Sequence, residues 1–240
     1  MEELIRLYKE MIEFVNKKNI RTKDKKLTSL FHVKGNLYKG DLMIIGRAVN
    51  GWDEGEWVHG ELNSIDEIER YVEKIMNISI TTERCPLKWV KECWGNTTGY
   101  NTKKSAFWRT VQKLLIEKEL KDYWWSRIIW TNLYKIAPYE GNNPKLTLMK
   151  LQLDKCCEIL KKEIEIYRPQ NIVCFTGVDW FEVFSNRIDN INLLEVDDKT
   201  VDAVGKYMFN DNTFSNIIIA KHPQGKDENM MVHEIQKYCI

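Results

Sequence analysis

Four short apolar runs constrain this chain more than any other feature. They are Asp41 to Gly46 (DLMIIG), Arg127 to Asn132 (RIIWTN), Asn171 to Gly177 (NIVCFTG) and Ser215 to Ala220 (SNIIIA). None shows the apolar–polar alternation of a strand with one wet face. Each reads as a strand buried on both faces, the mark of a parallel sheet covered by helices. Helical patterns separate them. Residues 3 to 16 place Leu4, Tyr8, Met11, Ile12 and Val15 on one face. Ser64 caps a helix running to about Met76, and another spans about Lys104 to Lys118. Asn143-Pro144 opens a long helix with Leu153, Cys157, Leu160, Ile164 and Tyr167 on one face, and Arg168-Pro169 ends it. A short helix follows around Trp180 to Phe184, and a last helix closes the chain. Leu193 to Val196 and Lys206 to Phe209 look like an edge hairpin, and residues 78 to 102 read as irregular. Strands alternating with helices predict an α/β fold with helices on both faces of the sheet. With no internal repeat, low-complexity tract or Pro/Gly linker in 240 residues, the expectation is a single domain over 1–240.

Composition narrows the function classes. Hydrophobic residues make up 43% and charged residues 30%, which excludes wholesale disorder. No apolar run approaches the roughly 20 residues of a membrane helix. The opening MEELIRLYKEMIEF carries acids on a helical period and lacks the form of a secretory signal. A cytoplasmic location is therefore expected, with the six cysteines as reduced thiols. Cys85 and Cys93 are eight apart, Cys156 and Cys157 are adjacent on a helix, and no C-x-x-C occurs. That pattern predicts neither a metal nor a cofactor. A net charge of +1 gives no signal for or against nucleic acid. One local cluster is basic: Lys17, Lys18, Arg21, Lys23, Lys25 and Lys26. It reads as a solvated loop or as a phosphate-contacting arm. Most of the nine tryptophans should be core, whereas Trp52, Trp57, Trp89 and Trp94 lie in loop-like sequence where a ring can stack on a base.

In open α/β sheets, ligands bind beyond the carboxyl ends of the strands. The polar clusters of this chain fall there: after Gly46, at Asn132, after Gly177 and at His222. Asn132 reads as directly following an apolar strand. Its amide suits a ligand edge bearing both donors and acceptors, or else it satisfies a turn. His222-Pro223 closes the fourth strand, where a histidine donates to a developing oxyanion or simply builds a turn. GRAVNGWD, residues 46 to 53, is neither a Walker loop nor a dinucleotide fingerprint.

Taken in order, MIIGRAVNGW, IIWTNLYKIAP, RPQNIVCFTG and IIIAKHPQG resemble the uracil-DNA glycosylase superfamily from Asp41 onward. The resemblance implies a three-layer α/β/α sandwich around a central, mainly parallel four-stranded sheet. It also implies metal-free cleavage of the bond joining a flipped base to deoxyribose in DNA, single- or double-stranded, by a monomer. Asn132 matches the asparagine that reads the uracil edge, and His222 matches the histidine that stabilises the departing anion. Trp52 or Trp57 stands where an aromatic stacks on the base, and Gly46, Arg47 and Gly177 join Asn132 as candidate substrate contacts. The first motif departs from the pattern, because Arg47 and Ala48 occupy the positions of the family's acid and Val49 that of its proline. Asn50 and Asp53 are the nearest groups to position water. His-Pro-Ser has become His-Pro-Gln, and Gly225 supplies no bulky wedge. Three readings therefore stand: a glycosylase-like hydrolase, a nucleic-acid or nucleobase-binding module without turnover, and a different small-molecule hydrolase on the same scaffold.

Overall fold

The computed structural model describes residues 1–18, 26–81, 84–116 and 123–239. Arg21, Lys23 and Lys25 of the basic cluster, and Lys118 at the end of a predicted helix, lie outside the described residues. In chain order the elements are α1 (Glu2–Lys17), β1 (Lys26–Ser29), β2 (Val33–Lys34), β3 (Leu42–Ala48), β4 (Glu56–Val58), α2 (Ile65–Ile80), α3 (Lys88–Glu92), α4 (Ala106–Ile116), β5 (Ile128–Tyr134), β6 (Ile136–Pro138), α5 (Leu146–Tyr167), β7 (Asn171–Phe175), α6 (Val178–Ser185), β8 (Ile191–Glu195), β9 (Val201–Met208), β10 (Phe214–Ala220) and α7 (Glu228–Gln236). The chain divides into two compact units, each drawn from three segments. The first holds Met1–His32, Gly46–Ile80 and Thr131–Tyr167; the second holds Val33–Ile45, Thr81–Trp130 and Arg168–Ile240.

In the first unit, β4, β1 and β6 form an antiparallel sheet in that order, with Leu27 opposite Trp57 on one side and Pro138 on the other. The helix α1 packs on α5 and α2 through the predicted stripe Leu4, Tyr8, Met11, Ile12 and Val15, with Leu7 added. Ser64 begins α2 in a capping box: Glu67 N–H donates to Ser64 Oγ at 3.2 Å, and Ser64 N–H donates to Glu67 Oε2 at 3.1 Å.

The buried face of α5 differs from the apolar stripe expected. Cys157, Leu160 and Ile164 are buried, but so are Gln152 and Glu163, while Leu153 and Tyr167 are only half-buried. Gln152 accepts from Ile136 N–H at 2.8 Å and donates to Ile136 O at 2.7 Å. Glu163 is fully enclosed and receives Lys135 Nζ at 2.8 Å, Thr131 Oγ at 2.9 Å and Tyr8 OH at 3.2 Å. His32 Nδ1 lies 3.5 Å from Glu163 Oε1, and His32 Nε2 is 2.5 Å from Tyr167 OH. Burial pushes the Glu163 carboxyl up. The Lys135 charge, joined by His32, outweighs burial and holds it down at about 2. Burial, then the Glu163 charge, drives the Tyr8 hydroxyl well above its ordinary range.

The second unit carries a seven-stranded sheet in the order β2-β5-β3-β7-β10-β9-β8. Residues 46–48 of β3 and 131–134 of β5 continue into segments of the first unit. The four apolar runs are neighbours, β5-β3-β7-β10, and the pairings of β7 with β3 and with β10 are parallel. The sheet as a whole is mixed and larger than the four strands expected. β2 is antiparallel to β5, β9 to β10, and β8 to β9. The predicted hairpin is therefore present as β8–β9, but only β8 forms the edge. The stretch read as irregular contains the end of α2 and all of α3. Tryptophans fill this unit. Trp108 lies 5.1 Å from Trp130 and 5.5 Å from Trp89, and Trp124 lies 5.7 Å from Trp94, mostly edge to face. Trp89 sits in α3 rather than in a loop. α4 and α7 are clamped by Arg109, which reaches Glu228 at 2.9 and 2.5 Å.

Candidate functional site

In the second unit, the parallel register sets Ala220 beside Phe175, so Gly177 and His222 each follow their strands by two residues at one end of the sheet. Gly177 N–H donates to Ala220 O at 2.9 Å, and its φ of 77° is one that a glycine accepts without strain. The first turn of α6 is already engaged, because Val178 N–H donates to Asp202 Oδ2 at 3.1 Å. Lys221 Nζ lies 3.7 Å from Asp202 Oδ1 and donates to Lys199 O at 2.8 Å. His222 is half-buried, and its Nδ1 accepts from Gln224 N–H at 3.3 Å. An accepting Nδ1 places the proton of neutral imidazole on Nε2. Beyond it Gly225 has open space where a side chain would stand.

In the first unit, Asn132 lies inside β5, two residues before its end, rather than just past the strand. It is 3% exposed, and its Nδ2 has no hydrogen-bond partner among the described residues. A buried donor left unmade costs about 1–3 kcal/mol. Thr131 points its hydroxyl to Glu163, as strand alternation requires of the preceding residue.

Gly46 is buried in β3, and Arg47 and Ala48 are half-buried after it. The loop then folds against the β6–α5 connection. Val49 N–H donates to Tyr134 O at 3.4 Å. Asn50 Oδ1 accepts from Asn142 N–H at 3.2 Å, and a Cβ at Gly141 (φ 95°) would stand 2.9 Å from that same oxygen. Asp53 Oδ1 accepts from Tyr139 OH at 3.0 Å, which raises the Tyr139 hydroxyl above its ordinary range. Asn50 and Asp53 are both exposed, and each fastens the loop. Trp52 is half-buried, with its carbonyl accepting from Thr28 Oγ at 2.5 Å. Trp57 corrects the loop expectation: it lies in β4, is 4% exposed, and donates its indole N–H to Ser29 Oγ at 3.0 Å. Its ring is spent on the core, which leaves Trp52 as the stacking candidate.

Asn132, Asn50, Trp52 and Asp53 thus belong to the first unit, and Gly177 and His222 to the second. Tyr139, Asn142 and Asp202 hold these loops and helix ends and were missed in the sequence. Asn142 offered a faint signal, an asparagine after glycine between two elements. Tyr139 and Asp202 offered none. Among the described residues no group of three His, Cys, Asp or Glu side chains is placed to hold a metal, and no helix is long and apolar enough to cross a membrane. No known protein-family model matches the sequence, and no curated protein matches it.

Proposed function

We propose that this chain is a uracil-DNA glycosylase-like hydrolase that cleaves the N-glycosidic bond of uracil or another damaged base in DNA. The observation that carries the reading is the buried, unpartnered amide nitrogen of Asn132. Such a donor lacks only an acceptor, and a carbonyl on the edge of a flipped base supplies one. Asn132 is the reader of the base. His222, with its proton on Nε2, stabilises the departing anion. Its role rests on its place after β10 and on the family pattern. Trp52 stacks on the base, Gly46, Arg47 and Gly177 line the substrate, and Asp53 or Asn50 positions water without a metal. The fold in this reading is the family's three-layer α/β/α sandwich. The enzyme works as a monomer on single- or double-stranded DNA in the cytoplasm, where its six free thiols stay reduced.

A second reading has its own observation. Arg47 and Ala48 stand where the family's acid would be, and both replacement groups, Asn50 and Asp53, are tied to the neighbouring loop. That favours a nucleobase- or nucleic-acid-binding module without turnover. Incubation with uracil-containing single and double strands, followed by alkaline cleavage, separates the two. Strand scission that falls on the order of a hundredfold in His222→Ala supports the hydrolase. Asn132→Ala should chiefly lose preference for uracil over other pyrimidines. Tight, salt-sensitive binding without base release supports the module. Neither scission nor binding, with mismatched and deaminated-purine strands included, overturns both.

A further inference from the structure

We propose that the free edge of β8 is a docking site for an extended basic peptide segment, which adds to the seven-stranded sheet as an eighth strand. This proposal is independent of the glycosylase reading. β8 closes one end of the sheet, paired on one side with β9. Its hydrogen-bonding phase follows from the bonds flanking the pair. Met208 N–H donates to Asn190 O, and Val196 N–H donates to Asp202 O. Bonded pairs in an antiparallel ladder recur every second residue, so 190, 192, 194 and 196 face β9. The N–H and C=O groups of Leu193 and Glu195 therefore point outward, an open template for another strand. Leu194 is 73% exposed beside it, an apolar contact for an incoming side chain.

Charge selects the occupant. Asp189, Glu195 and Asp197 are all exposed, and among the described residues none has a cationic partner. Of the nearby cations, Lys206 lies 3.8 Å over the Phe214 ring and Arg187 donates to Val183 O, while Lys199 is exposed in the β8–β9 connection. A second copy of the chain is a poor fit. Pairing antiparallel about Leu193 would set Asp189 of each copy opposite Asp197 of the other, and like charges facing across a ladder destabilise it. Lysine or arginine flanking an apolar residue in an extended segment meets both the ladder and the acids.

The test is fluorescence anisotropy with a labelled, end-blocked peptide of alternating Lys and Val, seven residues long. Saturable, salt-sensitive binding is expected, and N-methylation of alternate peptide amides should abolish it. Leu193→Pro removes an N–H that β9 does not use, and this variant should bind about tenfold more weakly. The charge-reversed pair Glu195→Lys/Asp197→Lys should lose binding to a similar degree. The N-methylated probe keeps the result readable if Leu193→Pro does not fold. No binding overturns the proposal. So does binding that survives N-methylation, which would be simple charge attraction, or self-association through β8 in sedimentation velocity.

Discussion

The cores of the two units are built from opposite materials. In the first, Glu163 gathers Lys135, Thr131, Tyr8 and His32 in a fully enclosed polar network. In the second, six tryptophans and their neighbours pack edge to face around Trp108 and Trp124. An apolar core tolerates exchange among side chains of similar volume. A buried ion pair does not, because each charge is acceptable only while its partner is present. The contrast teaches that the two halves of one chain should respond differently to the same disturbance.

The largest effect comes from breaking each core once. Glu163→Ala should cost about 3–5 kcal/mol by stranding Lys135, and Trp108→Ala about 3–5 kcal/mol through a cavity. The contrast lies in the rescue. The double change Lys135→Met/Glu163→Leu should recover most of the loss in denaturant melts, since a matched apolar pair replaces a matched ionic one. If the double variant is as unstable as Glu163→Ala, the network is more than a charge pair and the comparison fails. Acid should come next. The folded carboxyl of Glu163 is depressed from 4.5 to about 2. Its stabilising contribution is therefore present above pH 4.5 and is lost as pH falls from there toward 2, amounting to on the order of 3 kcal/mol. Hydrogen exchange should show the strands of the first unit opening before β7 and β10. Equal protection of both at pH 3 would contradict this.

Smaller effects sharpen the picture. Ser64→Ala removes one side of the capping box and should cost about 1 kcal/mol, seen as faster exchange in the first turn of α2. The Arg109–Glu228 clamp is more accessible than the buried pair, with side chains 34% and 12% exposed. Arg109→Ala should cost less than about 1 kcal/mol, and added salt should shrink the difference. The effect of Glu163→Ala should be nearly indifferent to salt. A salt-sensitive Glu163 would mean that water reaches it.

What could be read from the sequence follows the same division. The runs LMII, IIWT, IVCF and IIIA announced the centre of the sheet because strands buried on both faces leave uninterrupted apolar signals. The stripe of α1 was legible for the matching reason at helical spacing. β1, β2, β4 and β6 were not, being two to four residues long and mixed in character. The polar core was invisible, since Lys135 and Glu163 are 28 positions apart and both residue types normally face water. At the candidate site, the places of Gly177 and His222 followed from strand ends. Asn132 was found as a residue but placed at the strand's end instead of inside it, because Leu133 and Tyr134 were read as loop. Trp57 looked like a loop aromatic because the three-residue strand around it is too short to leave a pattern.

The interleaving of the two units sets an order in time. Every segment of the first unit has been synthesised once Tyr167 leaves the ribosome. At that moment the second unit still lacks β7, β10, β9 and β8, the strands that hold its parallel pairs together. Domains complete early in synthesis fold early. A nascent chain would therefore carry a finished polar core alongside β3 and the tryptophans of α3 and α4 still waiting for their sheet. Those are the surfaces a chaperone would meet first. Chains stalled at the point where Tyr167 has just emerged from the ribosome should be protease-resistant in the first unit and cleavable around α3 and α4.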